Sequence, residues 1–126
     1  MAKKKILVID DEPELVKAIT IRLGARGYYE VIPAFDGQQG LDKAGEIKPD
    51  LILLDIVMPK MDGYEVCRKL KSNPETKGIP IIIFTASTAV GPEEFEKRRI
   101  SVGAEGIIKK PFEPAELLEM VNKLLK

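Results

Sequence analysis

The run Lys5-Ile6-Leu7-Val8-Ile9-Asp10-Asp11-Glu12-Pro13 decides how this chain folds. Four consecutive strand-favouring apolar residues stop at two aspartates, and a proline follows where the first turn of a helix tolerates one. The stretch therefore reads as a strand with an acidic end, followed at once by a helix. Four more apolar runs repeat the theme at Glu30–Ala34, Leu51–Leu54, Ile79–Thr85 and Gly106–Lys109, with helix-length amphipathic stretches between them. Three of the five runs are nearly continuous Ile, Leu and Val, the pattern of parallel strands covered on both faces. Pro33 interrupts the second run and places it at a sheet edge.

Helix starts are marked by Pro13, Pro92 and Pro114, each beside a glutamate that complements the partial positive charge of a helix N-terminus. Asp36-Gly37 and Asp62-Gly63 are turn signals ahead of the second and third helices. In the last helix Leu117, Leu118, Val121, Leu124 and Leu125 recur at helical spacing and form one core-facing stripe. A fivefold strand–helix alternation of this size implies a doubly wound (βα)5 parallel sheet with right-handed crossovers. Nothing is left over for a second domain, so residues 1–126 read as a single domain.

Lys and Arg total 20 and Asp and Glu total 20, so no net field draws nucleic acid or an acidic membrane. The balance excludes neither partner but removes the simplest argument for both, and the expectation is no direct nucleic-acid binding and no membrane association. The single cysteine, Cys67, rules out an intramolecular disulfide and packs in a helix near Val66 and Leu70. Histidine is absent altogether, which excludes imidazole acid–base chemistry and His-ligated metals. Any metal must then sit on carboxylates and carbonyls, which favours a hard ion such as Mg2+. Met1–Lys5 is basic like the start of a signal peptide, but Ile6–Ile9 is too short for a signal core. The expected location is cytoplasmic.

In an open α/β sheet ligands bind beyond the carboxyl ends of the strands. Those ends carry Asp10-Asp11, Asp55, Thr85-Ala86 and Lys109-Lys110-Pro111. Neighbouring aspartates at apolar strand ends repel one another and call for a cation. A divalent metal and a lysine beside a carboxylate nucleophile suit a phosphoryl group, with a hydroxyl and a backbone N–H completing its contacts. Each residue also has a plainer reading: Asp10-Asp11 as a helix N-cap, Asp55 as a loop start, Thr85 as a strand-end hydroxyl and Lys110 as a solvated cation. Their coincidence at four strand ends favours the site.

The segments Ile6–Pro13, Asp55-Ile56-Val57-Met58-Pro59-Lys60-Met61-Asp62-Gly63, Thr85-Ala86, Gly103-Ala104-Glu105-Gly106 and Lys110-Pro111-Phe112 occur in an order that resembles the CheY-like response-regulator receivers of two-component signalling. The resemblance spans essentially the whole chain. It implies a flavodoxin-like three-layer sandwich with strand order 2-1-3-4-5, and phosphoryl transfer from a sensor histidine kinase or phosphotransfer protein onto Asp55. It further implies Mg2+ on Asp11, Asp55 and the Val57 carbonyl, with Asp10 acting through water. Thr85, the Ala86 N–H and Lys110 would contact the phosphoryl oxygens, and the Lys110–Pro111 bond would be cis. Lys109 would point elsewhere, because strand neighbours face opposite ways. The implied output is a downstream protein docking on the fourth helix, fifth strand and fifth helix, with a phosphorylation-dependent homodimer as an option.

Departures from the family pattern carry their own expectations. Position 107, where receivers carry a switching aromatic, is Ile107, and the Thr85–Gly103 stretch is about three residues longer around Ser87–Pro92. Val57 and Ser87 occupy the two positions that tune phosphoryl lifetime, and Val57 cannot hydrogen-bond an attacking water, so slow loss is expected. Glu93 and Glu94 stand four residues before Lys97 and Arg98, an exposed pairing pattern. Three rival readings are weighed. An aspartate-nucleophile phosphatase needs a second acid where Val57 stands. A flavodoxin-type FMN carrier would be repelled by Asp10-Asp11-Glu12. A pseudo-receiver acting as a constitutive interaction module is the remaining alternative.

Overall fold

The protein was analysed as a computed structural model, in which residues 3–85, 91–110 and 112–125 are described. The elements are β1 (Lys4–Ile9), α1 (Pro13–Gly24), β2 (Tyr29–Ala34), α2 (Gly37–Ile47), β3 (Leu51–Asp55), α3 (Gly63–Ser72), β4 (Ile81–Thr85), α4 (Pro92–Val102), β5 (Gly106–Lys109) and α5 (Pro114–Leu124). The five strands form one parallel sheet in the order β2-β1-β3-β4-β5. The doubly wound architecture and strand order are those expected from sequence.

Parity along the strands explains the two cores. Leu7, Ile9, Ile52, Leu54, Ile81 and Ile83 pack with Ala44, Val66, Cys67, Leu70 and Val102 of α2, α3 and α4. Ile6, Val8, Leu51, Leu53, Ile82, Phe84 and Ile108 pack with Val16, Ile19, Leu23, Leu117 and Val121 of α1 and α5. Each central strand thus buries both faces, which is why its sequence is apolar without alternation. The α5 stripe behaves as read, with Leu118, Leu124 and Leu125 partly buried beside Leu117 and Val121.

The differences from the sequence reading are local. β4 begins at Ile81 rather than Ile79, because Pro80 has no N–H to give the ladder. β3 runs one residue further, to Asp55, which stands opposite Phe84. Pro33 lies within β2, at the sheet edge, where a missing donor costs least. Asp36 and Asp62 do more than turn the chain. Each caps its helix by accepting a backbone N–H, from Gln39 at 2.8 Å and from Glu65 at 2.9 Å.

Candidate functional site: an acidic rim around Asp55

The β1 and β3 ends lie side by side in the sheet, which brings Asp10 and Asp55 together. Asp10 is fully buried and Asp55 is 2% exposed. Asp10, Asp11, Glu12 and Asp55 each place a carboxylate oxygen within 4.8 Å of the others. The capping role considered for Asp10-Asp11 is met only in part. Asp10 accepts the Glu12 N–H at 2.8 Å, but the N-cap residue of α1 is Glu12, whose own side chain caps nothing.

Among the described residues one cation reaches into this cluster. The Lys110 ammonium lies 3.2 Å from Asp10 Oδ2, 3.4 Å from Asp55 Oδ1 and 3.5 Å from Glu12 Oε1. Its ammonium also stands 4.9 Å from the centre of the Phe84 ring. Lys109 goes the other way, with its ammonium 5.1 Å from the Phe95 ring centre. Burial, and then the charge of Asp10, push the Asp55 carboxyl up to about 6, against the pull of Lys110. Burial also raises Asp10. For Lys110, burial acts downward, but the carboxylates of Asp55 and Asp10 outweigh it and the net direction is up. Among the described residues three acids share a single ammonium, so the rim is short of positive charge.

The loop after β3 is shaped for close approach. A Cβ on Gly63 would lie 2.1 Å from the Asp55 carbonyl oxygen, so only glycine lets the first turn of α3 sit there. The Gly63 N–H donates to the Ile56 carbonyl at 2.9 Å. Within the same loop Lys60 has φ 70, spanned by a Met61 N–H to Pro59 carbonyl bond of 2.8 Å. Val57, just past the strand, has a side chain open to solvent. Thr85 ends β4 and is 1% exposed, and its carbonyl accepts the Lys110 N–H at 2.8 Å. Ala86, Ser87 and the expected cis bond to Pro111 lie outside the described residues. Ile107 is partly buried against the α2–α4 side of the core, and Phe95 is a buried residue of α4.

Two features of the rim were not singled out from sequence. Glu12 joins the partners of Lys110, and the buried Phe84 ring lies beside that lysine. Parity offered a signal for Phe84, an aromatic at the penultimate position of an otherwise aliphatic strand.

A doubly wound α/β domain with buried aspartates at the β1 and β3 ends, and a lysine just past β5 reaching them, has its polar cluster where open α/β sheets bind ligands, beyond the carboxyl ends of the strands. The model of the response regulator receiver domain matches residues 6–122, and the chain belongs to that family. It is 42% identical over 124 residues to the alkaline phosphatase synthesis transcriptional regulatory protein PhoP of Bacillus subtilis, covering 98% of this chain and 49% of that protein. It is 37% identical over 122 residues to the DNA-binding dual master transcriptional regulator RpaA of Synechocystis, covering 97% and 49%. The receiver domain of sensor histidine kinase PA1611 from Pseudomonas aeruginosa, solved with a magnesium ion in its active-site cleft, superposes with TM-score 0.86 at 30% identity, over 98% of both chains.

The chain spans about half the length of the curated relatives it matches. One expectation is overturned here. No direct nucleic-acid binding was expected, with charge balance offering no argument for it, yet a relative with 37% identity is named a DNA-binding regulator. The physical reason is plain. A net charge of zero describes these 126 residues only and carries no information on the other half of such a protein. Among the described residues no helix is long and apolar enough to cross a membrane.

Proposed function

We propose that residues 1–126 form one receiver domain that takes a phosphoryl group onto Asp55 from a histidine kinase or phosphotransfer phosphohistidine. The supporting observation is the near-buried Asp55 carboxylate set among Asp10, Asp11 and Lys110. An Asp55 oxygen attacks phosphorus while the P–N bond to the donor imidazole breaks. The departing nitrogen keeps the bonding pair and takes up a proton. Lys110 neutralises charge on the phosphoryl oxygens, and the Thr85 hydroxyl and Ala86 N–H donate to them.

The donor set suits Mg2+. It consists of hard carboxylates without sulfur or imidazole, in a cluster with more negative than positive charge. Asp10, Asp11, Asp55 and the Val57 carbonyl would hold the ion, Asp10 through water. Bound there, Mg2+ would supply positive charge to the transferring oxygens. Val57 offers no hydrogen-bonding side-chain atom to orient water, so the aspartyl phosphate is lost slowly. Decay complete within seconds at neutral pH would overturn that last point.

The output is a change of partner affinity on the face of α4, β5 and α5. Any such shift is bounded by the difference in binding free energy between the two states. The relatives' names support an output that ends at DNA, through a segment outside these 126 residues.

The test is incubation with Mg2+ and acetyl phosphate, followed by intact mass. Wild type gains one phosphoryl group and Asp55→Asn gains none. An unmodified wild type, or an equally modified variant, would overturn the reading and leave the constitutive interaction module.

A further inference from the structure

Lys110 has three acids competing for one ammonium, and they do not pull the same way. Asp10 is fully buried at the β1 end, Asp55 is buried at the β3 end, and the Glu12 side chain is 64% exposed. All three separations, 3.2 to 3.5 Å, are longer than a tight charge-assisted bond. Each acid thus holds the ammonium by a long contact, and of the three only Glu12 pulls it toward solvent.

The fourth neighbour is different in kind. Asp55 stands opposite Phe84 across β3 and β4, and Phe84 stands opposite Ile108 across β4 and β5. Directly paired residues project to the same face, so Asp55, Phe84 and Ile108 line up across three strands, with Lys110 two residues beyond Ile108. The Phe84 ring is 1% exposed and is held by an edge contact with Phe112, centroids 6.3 Å apart at 76°. Its position is thus set by the core, and the Lys110 ammonium stands 4.9 Å from its centre. A ring face attracts a cation without titrating, binding metal or accepting a phosphoryl group.

We infer that Phe84 is a positioning residue, whose ring face holds the Lys110 ammonium beside Asp55 against the outward pull of Glu12. The inference rests on the phosphoryl-accepting reading of the same site. With Asp10 and Asp55 engaged by a metal or a phosphoryl group, the ring would remain as the lysine's fixed neighbour. Phe84 touches no reacting atom and acts only through Lys110.

The experiment replaces Phe84 in the full chain with 4-fluoro-, 3,5-difluoro- and 3,4,5-trifluorophenylalanine. These rings are nearly isosteric, but their faces become progressively less negative. Three readouts are taken: the acetyl-phosphate rate constant, the thermal midpoint, and the NMR shifts of the Lys110 ε-methylene without Mg2+. The expected result is a graded fall in rate, reaching roughly three- to tenfold for the trifluoro ring. The midpoint stays flat, and the wild-type ε-methylene shows an upfield ring-current shift that Phe84→Leu loses.

A rate constant indifferent to fluorination at constant midpoint overturns the inference, as does a wild-type lysine without the ring-current shift. A shifted lysine in a wild type that accepts no phosphoryl group supports the contact and overturns the phosphoryl reading instead. Because the fluorinated series keeps the ring, a failure of Phe84→Leu to fold leaves the rate comparison intact.

Discussion

Two lysine–carboxylate clusters sit at opposite ends of the same sheet, and they are built on opposite principles. At the amino-terminal end of β4 and β5, Lys71 has one acid, Glu105, at 2.9 Å, and donates to the Lys77 and Ile79 carbonyls at 3.3 and 3.0 Å. Glu105 in turn accepts the Ile81 N–H at 2.8 Å. At the carboxyl-terminal rim, Lys110 meets three acids at 3.2 Å or more, and Asp55 is pushed up to about 6 by burial and by Asp10. The first cluster balances its charge and ties α3 to the start of β4 and β5. The second is left short of positive charge. The difference teaches where this domain ties its elements together and where it leaves buried charge unbalanced.

The largest test of that contrast is at the balanced end. Glu105→Ala strips Lys71 of its acid and leaves the Ile81 N–H without its acceptor, an expected loss of about 2–3 kcal/mol in urea unfolding. A loss no larger than the roughly 0.5 kcal/mol of an exposed pair would show that the two ends do not differ as described.

At the rim the sign reverses. Asp55→Asn removes a charge that burial and Asp10 both oppose, so the metal-free protein at neutral pH should gain about 1–2 kcal/mol. Mg2+ should then raise the melting midpoint of wild type more than that of the variant. A variant less stable than wild type in chelator would break the comparison.

Cys67 sharpens it from the balanced side. This buried thiol lies 3.5 Å from the Val102 carbonyl, and burial, offset in part by Lys71, pushes it up to about 11 from an ordinary 9. The folded state therefore keeps a proton that the unfolded chain gives up, and stability falls as pH rises from 9 through 11. Between pH 8 and pH 10 wild type should lose about 1 kcal/mol more than Cys67→Ala. Equal losses in parallel urea titrations would remove the effect.

The smallest expected effect is again at the rim. Lys60 adopts φ 70, a conformation that glycine takes without strain, so Lys60→Gly should gain a few tenths to about 1 kcal/mol. A destabilised variant would mean that the Lys60 side chain contributes more than its backbone costs.

Much of this molecule could be read from local pattern. Ile6–Ile9 running into Asp10-Asp11, Leu51–Leu54 running into Asp55 and the prolines at 13, 92 and 114 state strand, acidic end and helix start within a few residues of each other. Such signals are legible because strand and helix periods, proline geometry and capping act over short separations. Their joint position on one rim follows from the general geometry of doubly wound sheets. The misread start of β4, Ile79 for Ile81, turned on a single missing N–H at Pro80.

Sequence by itself determined the element order, the two-faced burial of the central strands and the set of carboxylates at the strand ends. Only the tertiary structure decided that Lys110 meets Asp10 across 100 residues and Glu12 across 98, that Phe84 lies beside that lysine, and that Glu105 answers Lys71. The physical reason is range. Propensity and periodicity are settled by neighbours along the chain, whereas an ion pair or a ring contact depends on strand register and crossover path, which bring distant residues within a few ångströms.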